Sequence, residues 1–193
     1  LRSVPALIVS VLMRPNPFML YAGEEFGERG MDTEGFSGKD GRTTIFDYWC
    51  VDTIRRGYYS RRELSKGERQ IEKTHSQLLN LATSDALFKS GSFYDLMYAN
   101  PHSSSFDTNA VYAFLRKSDK ALAIVAVNFS DTEKDTRINI PPHAFEYLGI
   151  EECETKAREL LTGDERTLSL SMSSPVHVTI PPYSGVILKV LAS

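Results

Sequence analysis

The sequence predicts an α+β chain, with helices dominating residues 1–90 and an antiparallel β-sandwich following over residues 91–193. Three observations carry this. The hydrophobic period shifts near Phe93 from helical spacing to strict alternation. Two alternating runs, Val111–Arg116 and Ala121–Asn128, flank the polar turn Lys117-Ser118-Asp119-Lys120, a hairpin signal. Before them, Pro17-Phe18-Met19-Leu20-Tyr21-Ala22-Gly23-Glu24-Glu25 is an apolar run that stops at glycine and two carboxylates. Such a run suits a buried strand whose end emerges at a polar rim, where α/β folds place their ligands.

Ala6–Met13 is almost wholly apolar and ends at Arg14-Pro15-Asn16-Pro17, which favours a buried helix leading into the Phe18–Ala22 strand. On that strand, adjacent Glu24 and Glu25 point to opposite faces. They cannot then be the facing carboxylates of a retaining glycosidase, which stand about 5–5.5 Å apart. Glu28–Tyr59 is glycine-rich without a period, and a connection of that length is usually functional. Ser65-Lys66-Gly67-Glu68 fits a capping box, and Ile71, His75, Leu78, Leu79 and Ala82 follow as one apolar stripe. Ser84-Asp85 and Ser90-Gly91 punctuate its exit. Further strands are expected at Arg137–Ile140, Leu168–Leu170, Val176–Ile180 and Val186–Val190, with Pro181-Pro182-Tyr183-Ser184-Gly185 turning the chain before the last.

Composition excludes several classes. The 193 residues are 41% hydrophobic with net charge −3 and interspersed signs, so no basic footprint for nucleic acid or an anionic membrane exists. No run is long enough for a membrane-spanning helix. Cys50 and Cys153 are too far apart for a metal-like spacing, and two unbridged thiols are expected. His75, His102, His143 and His177 lie on different elements, so no metal site is expected; His75 belongs to the helix stripe. There is no Gly-x-Ser-x-Gly elbow, P-loop or dinucleotide fingerprint.

Pro17-x-x-x-Tyr21-x-Gly23-x-Glu25, the glycine-rich loop, Asp40-Gly41-Arg42 and the pair Tyr48-Trp49 together resemble the last barrel strand of the α-amylase family, glycoside hydrolase family 13. Phe88-x-x-Gly91-x-Phe93 resembles that family's passage into its C-terminal β domain. The resemblance implies that residues 1–90 are the final helix–strand–helix of a (β/α)8 barrel and residues 91–193 the C-terminal β domain. It implies a parent that acts on starch or maltodextrin through a covalent glycosyl-enzyme intermediate. The family's catalytic carboxylates sit on earlier strands, so the chain looks like a piece of a longer protein, contains no catalytic residue and is expected to be inactive alone.

The substrate-binding candidates are Glu25, Arg42, Asp47, Tyr48 and Trp49. By its place in the motif, Glu25 orients neighbours at the rim, or else forms a structural ion pair, with Arg42 as one partner. Arg42, Asp47, Tyr48 and Trp49 either shape a sugar subsite or pack the loop. No cofactor is expected, although some family members carry calcium. Asp32, Glu34, Asp40 and Asp47 offer oxygen ligands, but their spacing is not that of an EF-hand, and a solvated acidic loop is the plainer reading. Tyr112, Phe114, Tyr147 and Tyr183 could make a sugar platform on the β domain, or core. The expected partner is an α-glucan met through the parent protein. A lone strand between helices leaves open edges, so residues 1–90 are expected either to rearrange or to pair with another copy. The competing reading is a self-contained carbohydrate-binding or interaction module.

Overall fold

The computed structural model describes residues 2–28 and 52–191. The chain divides into two compact units, residues 17–77 and residues 2–16 with 78–193. In the first lie a 3₁₀ turn (Glu24–Phe26), helix α2 (Asp52–Tyr58), a second 3₁₀ turn (Arg61–Glu63) and most of helix α3 (Lys66–Ser84). In the second lie α1 (Val4–Leu12), α4 (Ala86–Ser90), α5 (Pro142–Leu148) and eight strands.

The strands are β1 (Ser92–Asp95), β2 (Val111–Ser118), β3 (Ala121–Asn128), β4 (Lys134–Ile138), β5 (Cys153–Glu159), β6 (Glu165–Leu170), β7 (Val176–Ile180) and β8 (Ser184–Leu191). Six form one sheet in the order β1-β2-β3-β8-β5-β6, and β4 pairs with β7 in a second. All pairings are antiparallel. The expected hairpin closes as Ser118 opposite Ala121, so Asp119-Lys120 form the tip. The core lies between the sheets and under α5, with Leu122, Ile124 and Ala126 of β3 meeting Ile138, Val178 and Ile180.

Every residue of β3 is buried. The reason is that the large sheet is covered on both faces. Its sandwich face packs the core, while α1 approaches β3 and β8, and α4 approaches β2 and β3. A strand covered on both faces reads as a continuous apolar run, and Ala121–Val127 does so. The α1 approach requires Gly185: a Cβ there would stand 2.7 Å from Ile8 Cδ1 and 2.9 Å from Val127 Cγ1.

Two buried polar side chains fix this arrangement. Arg116 is fully buried on the helix-covered face and donates to the carbonyls of Leu12 (2.7 Å), Leu87 (3.3 Å), Phe88 (3.1 Å) and Gly91 (2.7 Å). It thereby caps the C-terminal ends of α1 and α4 at once, where carbonyls lack intrahelical partners and the dipole favours a cation. Asn128 donates to Thr132 O (2.7 Å), Ile180 O (3.2 Å) and Pro181 O (3.1 Å) and accepts from Ser130 N–H (2.9 Å), pinning the exits of β3 and β7.

The capping box forms as expected. Glu68 N–H donates to Ser65 Oγ (3.2 Å), and Ser65 N–H donates to Glu68 Oε2 (2.7 Å). On α3, Ile71, His75 and Leu78 are buried as their spacing predicts.

Three expectations are corrected. Phe18–Ala22 forms no strand, and Met19, Leu20 and Tyr21 are 83%, 37% and 43% exposed. A strand needs another strand to pair its N–H and C=O groups, and among the described residues no strand pairs with this segment. Glu24 and Glu25 accordingly sit in a 3₁₀ turn rather than on opposite strand faces. The end of the Glu28–Tyr59 connection is helical, because Asp52 accepts from Arg55 (2.8 Å) and Arg56 one turn on, and Ile54 is buried. The alternation rule also passed over β5 and α5. Only Ala157 and Glu159 of β5 are buried, at its end, so its Cys153–Lys156 start carries no apolar face.

Candidate functional site

The motif Gly23-Glu24-Glu25-Phe26-Gly27 folds as a tight turn because glycines at both ends adopt left-handed backbone, φ 87° and 75°. Phe26 is buried, and Tyr58 of α2 meets it edge-on, with ring centroids 5.3 Å apart at 88°. Gly57 permits this contact: a Cβ there would lie 2.3 Å from the Phe26 ring. The packing aims the Tyr58 hydroxyl at Glu25, to which it donates. That hydrogen bond, with burial and the neighbouring charge, pushes the Tyr58 phenol up to about 12. Glu24 faces elsewhere and accepts from Tyr21 N–H at 3.2 Å.

An ion-pair network fastens α2 beside this turn. Arg56 bridges Asp52 and Glu68, Arg55 reaches Glu63 (3.3 Å), and Arg61 pairs with Glu72 (2.6 Å). The Arg55 hydrogen bond holds the Asp52 carboxyl below its usual range. Glu28 accepts from Thr53 Oγ1. The geometry can hold Glu25 in a fixed orientation as a hydrogen-bond acceptor. It does not pair two carboxylates, since Glu24 is engaged with its own turn. Of the five substrate-binding candidates only Glu25 is described; Arg42, Asp47, Tyr48 and Trp49, like the calcium candidates Asp32, Glu34 and Asp40, lie outside the described residues.

His75 is buried as a helix-stripe residue, its Nδ1–H donating to Ile71 O at 2.9 Å. Among the described residues no three His, Cys, Asp or Glu side chains gather as a metal site would require, and no helix is long and apolar enough to cross a membrane. Cys153 is exposed and unbridged.

Tyr112, Phe114, Tyr147 and Tyr183 do not form one platform. Phe114 is fully buried with Tyr112 beside it, ring centroids 5.9 Å apart, on the helix-covered face. Tyr183 lies under the Arg2 guanidinium at 5.4 Å. Tyr147 instead joins Tyr94, Tyr98 and His143, a group that strand alternation does not pick out. The available signal was helical: Pro142 opens α5, Gly149 closes it at φ 61°, and His143 and Tyr147 are four apart.

The sheet order and the two-sided burial define an all-β sandwich domain that carries short helices on one face. Residues 103–190 match the family model described as "Alpha amylase, C-terminal all-beta domain". Over those residues the chain is therefore similar to the C-terminal all-β domain of α-amylases. Solved structures agree over nearly the whole chain. An AmyP variant in complex with maltotriose overlays with TM-score 0.63 at 18% identity, covering 96% of this chain and 34% of that one. The maltogenic α-amylase AmyB from Thermotoga neapolitana gives 0.63 at 13%, covering 100% and 37%. CldA, a cyclomaltodextrin glucanotransferase, gives 0.56 at 12%, covering 100% and 33%. The chain thus spans about a third of the length of these structures. No curated protein sequence matches it significantly.

Proposed function

We propose that this chain is the C-terminal part of a retaining, α-glucan-active glycoside hydrolase of the α-amylase type, acting on starch or maltodextrin. The observation that carries the reading is the overlay of 96–100% of the chain on two amylase structures, one solved with maltotriose, and a glucanotransferase. In this reading residues 1–90 complete a barrel and residues 91–193 form the β domain. The nucleophile and acid/base carboxylates lie upstream, so the chain by itself is inactive and needs no cofactor of its own. In this reading Glu25, oriented by Tyr58, and Arg42, Asp47, Tyr48 and Trp49 are the substrate-binding residues, the aromatic rings suited to stacking on pyranose faces and the polar groups to binding hydroxyls.

The test is calorimetric titration of the chain with maltoheptaose beside a hydrolysis assay on the same sample. No hydrolysis is expected. Hydrolysis of the α-glucan by the chain alone would overturn the assignment of the catalytic carboxylates to another segment.

A second reading, a self-contained carbohydrate-binding module, is favoured by one observation: two phenol rings of the β domain, Tyr98 and Tyr147, are 64% and 65% exposed. It predicts glucan binding by residues 91–193 alone.

A further inference from the structure

Helix α5 uses only one of its faces for the core. Ala144, Phe145 and Leu148 are buried, and they fill the core side of the helix. His143 and Tyr147, on the outer face, are exposed and add nothing to that packing. Their rings nevertheless lie nearly parallel, 12° apart with centroids at 5.9 Å. Tyr94 of β1, only 8% exposed, is the hub beneath them. Its ring centroid is 5.8 Å from His143, 6.1 Å from Tyr147 and 6.2 Å from Tyr98.

A hydrogen-bond chain runs through the same group. The Tyr94 hydroxyl is bonded to the Tyr98 hydroxyl at 2.5 Å and to His143 Nδ1 at 2.8 Å. Burial, with the Tyr98 bond, pushes the Tyr94 phenol well above its ordinary value, so the hub stays an uncharged phenol. The chain ends in two exposed side chains, Tyr98 and His143, whose polar atoms have capacity left for a ligand. The surface thus offers flat, orientationally fixed aromatic faces rimmed by hydroxyl and imidazole, with no carboxylate, lysine or arginine in the group. That combination suits an uncharged ligand having both C–H faces and hydroxyls, which is the chemistry of a sugar chain. A proline-rich peptide uses aromatic faces too, but it offers the hydroxyl–imidazole chain only carbonyl acceptors, whereas sugar hydroxyls both donate and accept.

We propose that Tyr94, Tyr98, His143 and Tyr147 form an α-glucan-binding site on the outer face of α5, with Tyr147 and Tyr98 stacking on glucose rings and the Tyr94–His143 bond holding the faces in place. The proposal rests on the α-glucan reading above and adds to it a site on the β domain, outside the barrel rim. Both flanking tyrosines are exposed, so their truncation leaves the fold intact, which circular dichroism checks.

The experiment is affinity electrophoresis of the full 193-residue chain through gels containing soluble starch, mixed-linkage β-glucan or no polysaccharide. The expected result is retardation by starch alone. Tyr147→Ala and Tyr98→Ala should each weaken it about ten-fold, the scale of one aromatic contact in a binding site. Tyr147→Trp should retain it. A double variant retarded by starch as strongly as the wild type overturns the site while leaving the α-glucan reading in place. Retardation by β-glucan alone, lost in the double variant, overturns the α-glucan assignment and with it the reading on which it rests. Passage of the wild type unretarded through both gels, or binding of a polyproline peptide in place of starch, overturns the proposal outright.

Discussion

Arg116 lends itself to a quantitative test, because a buried guanidinium with only carbonyl partners makes an unusual demand on the fold. Replacing it by Met keeps most of the apolar volume and removes the donors. Of the four carbonyls it serves, Leu87 O also accepts from Gly91 N–H at 3.0 Å and keeps that partner. Leu12 O, Phe88 O and Gly91 O lose a charged donor. Hydrogen bonds to a charged group contribute about 1.5–3 kcal/mol each, so the gross loss is about 4–9 kcal/mol. Against it stands the desolvation of the cation, several kcal/mol, which the Met variant no longer bears. Burial already holds the Arg116 pKa below its ordinary value, the direction such a penalty dictates.

The net expectation for Arg116→Met is a loss of about 3 kcal/mol, or roughly 6–12 °C in Tm for a chain of this size. Arg116→Lys keeps the charge but replaces a planar fork with a single point, so it should lose about half as much. Urea unfolding followed by circular dichroism gives the values. A loss under about 1 kcal/mol for Arg116→Met would refute the reasoning, since capping two helix ends would then be worth no more than the burial of the charge costs.

The other predictions are independent of Arg116. Gly185→Ala should destabilise the chain by about 1–3 kcal/mol, because the methyl must displace Ile8 and Val127, and thermal unfolding measures it. The Tyr58 phenol is raised to about 12 chiefly by its hydrogen bond to Glu25, so that bond supports the fold below the unfolded phenol value, near pH 10, and the support is lost as pH rises through about 12. In a spectrophotometric tyrosinate titration, Glu25→Gln should lower the ionisation of one of the nine tyrosines toward its ordinary value, burial still holding it above; an unchanged curve would refute the contact. The exposed Met19–Tyr21 segment should make the isolated chain self-associate as concentration rises, and a strictly monodisperse monomer by light scattering with low hydrophobic-dye binding would contradict this.

Local chemistry was legible wherever one segment contained its own reason. The Ser65/Glu68 capping box closes within three residues, and the β2–β3 hairpin is set by a two-residue tip and the apolar runs beside it. The all-β character of the C-terminal part followed from period alone. Of the candidate site, Glu25 was found by motif, but its partner was not, because Tyr58 lies 33 residues away and nothing local pairs them.

Tertiary structure alone decided the rest. Phe18–Ala22 has the apolar content of a strand, but strand formation is a property of two segments, and no strand pairs with it among the described residues. Arg116 looks like a polar residue at the end of a strand until α1 and α4, 104 and about 28 residues away in sequence, place their carbonyls around it. Tyr94, Tyr98, His143 and Tyr147 come together only because β1 and α5 meet over the core, 49 residues apart at the Tyr94–His143 bond. The sequence by itself determined the buried helix α1, the capped start of α3 and the β2–β3 hairpin, since those depend on hydrogen bonds and packing a few residues apart. Which buried charges are satisfied and which aromatic faces are left outward depends on contacts between distant segments, and only the folded chain brings these together.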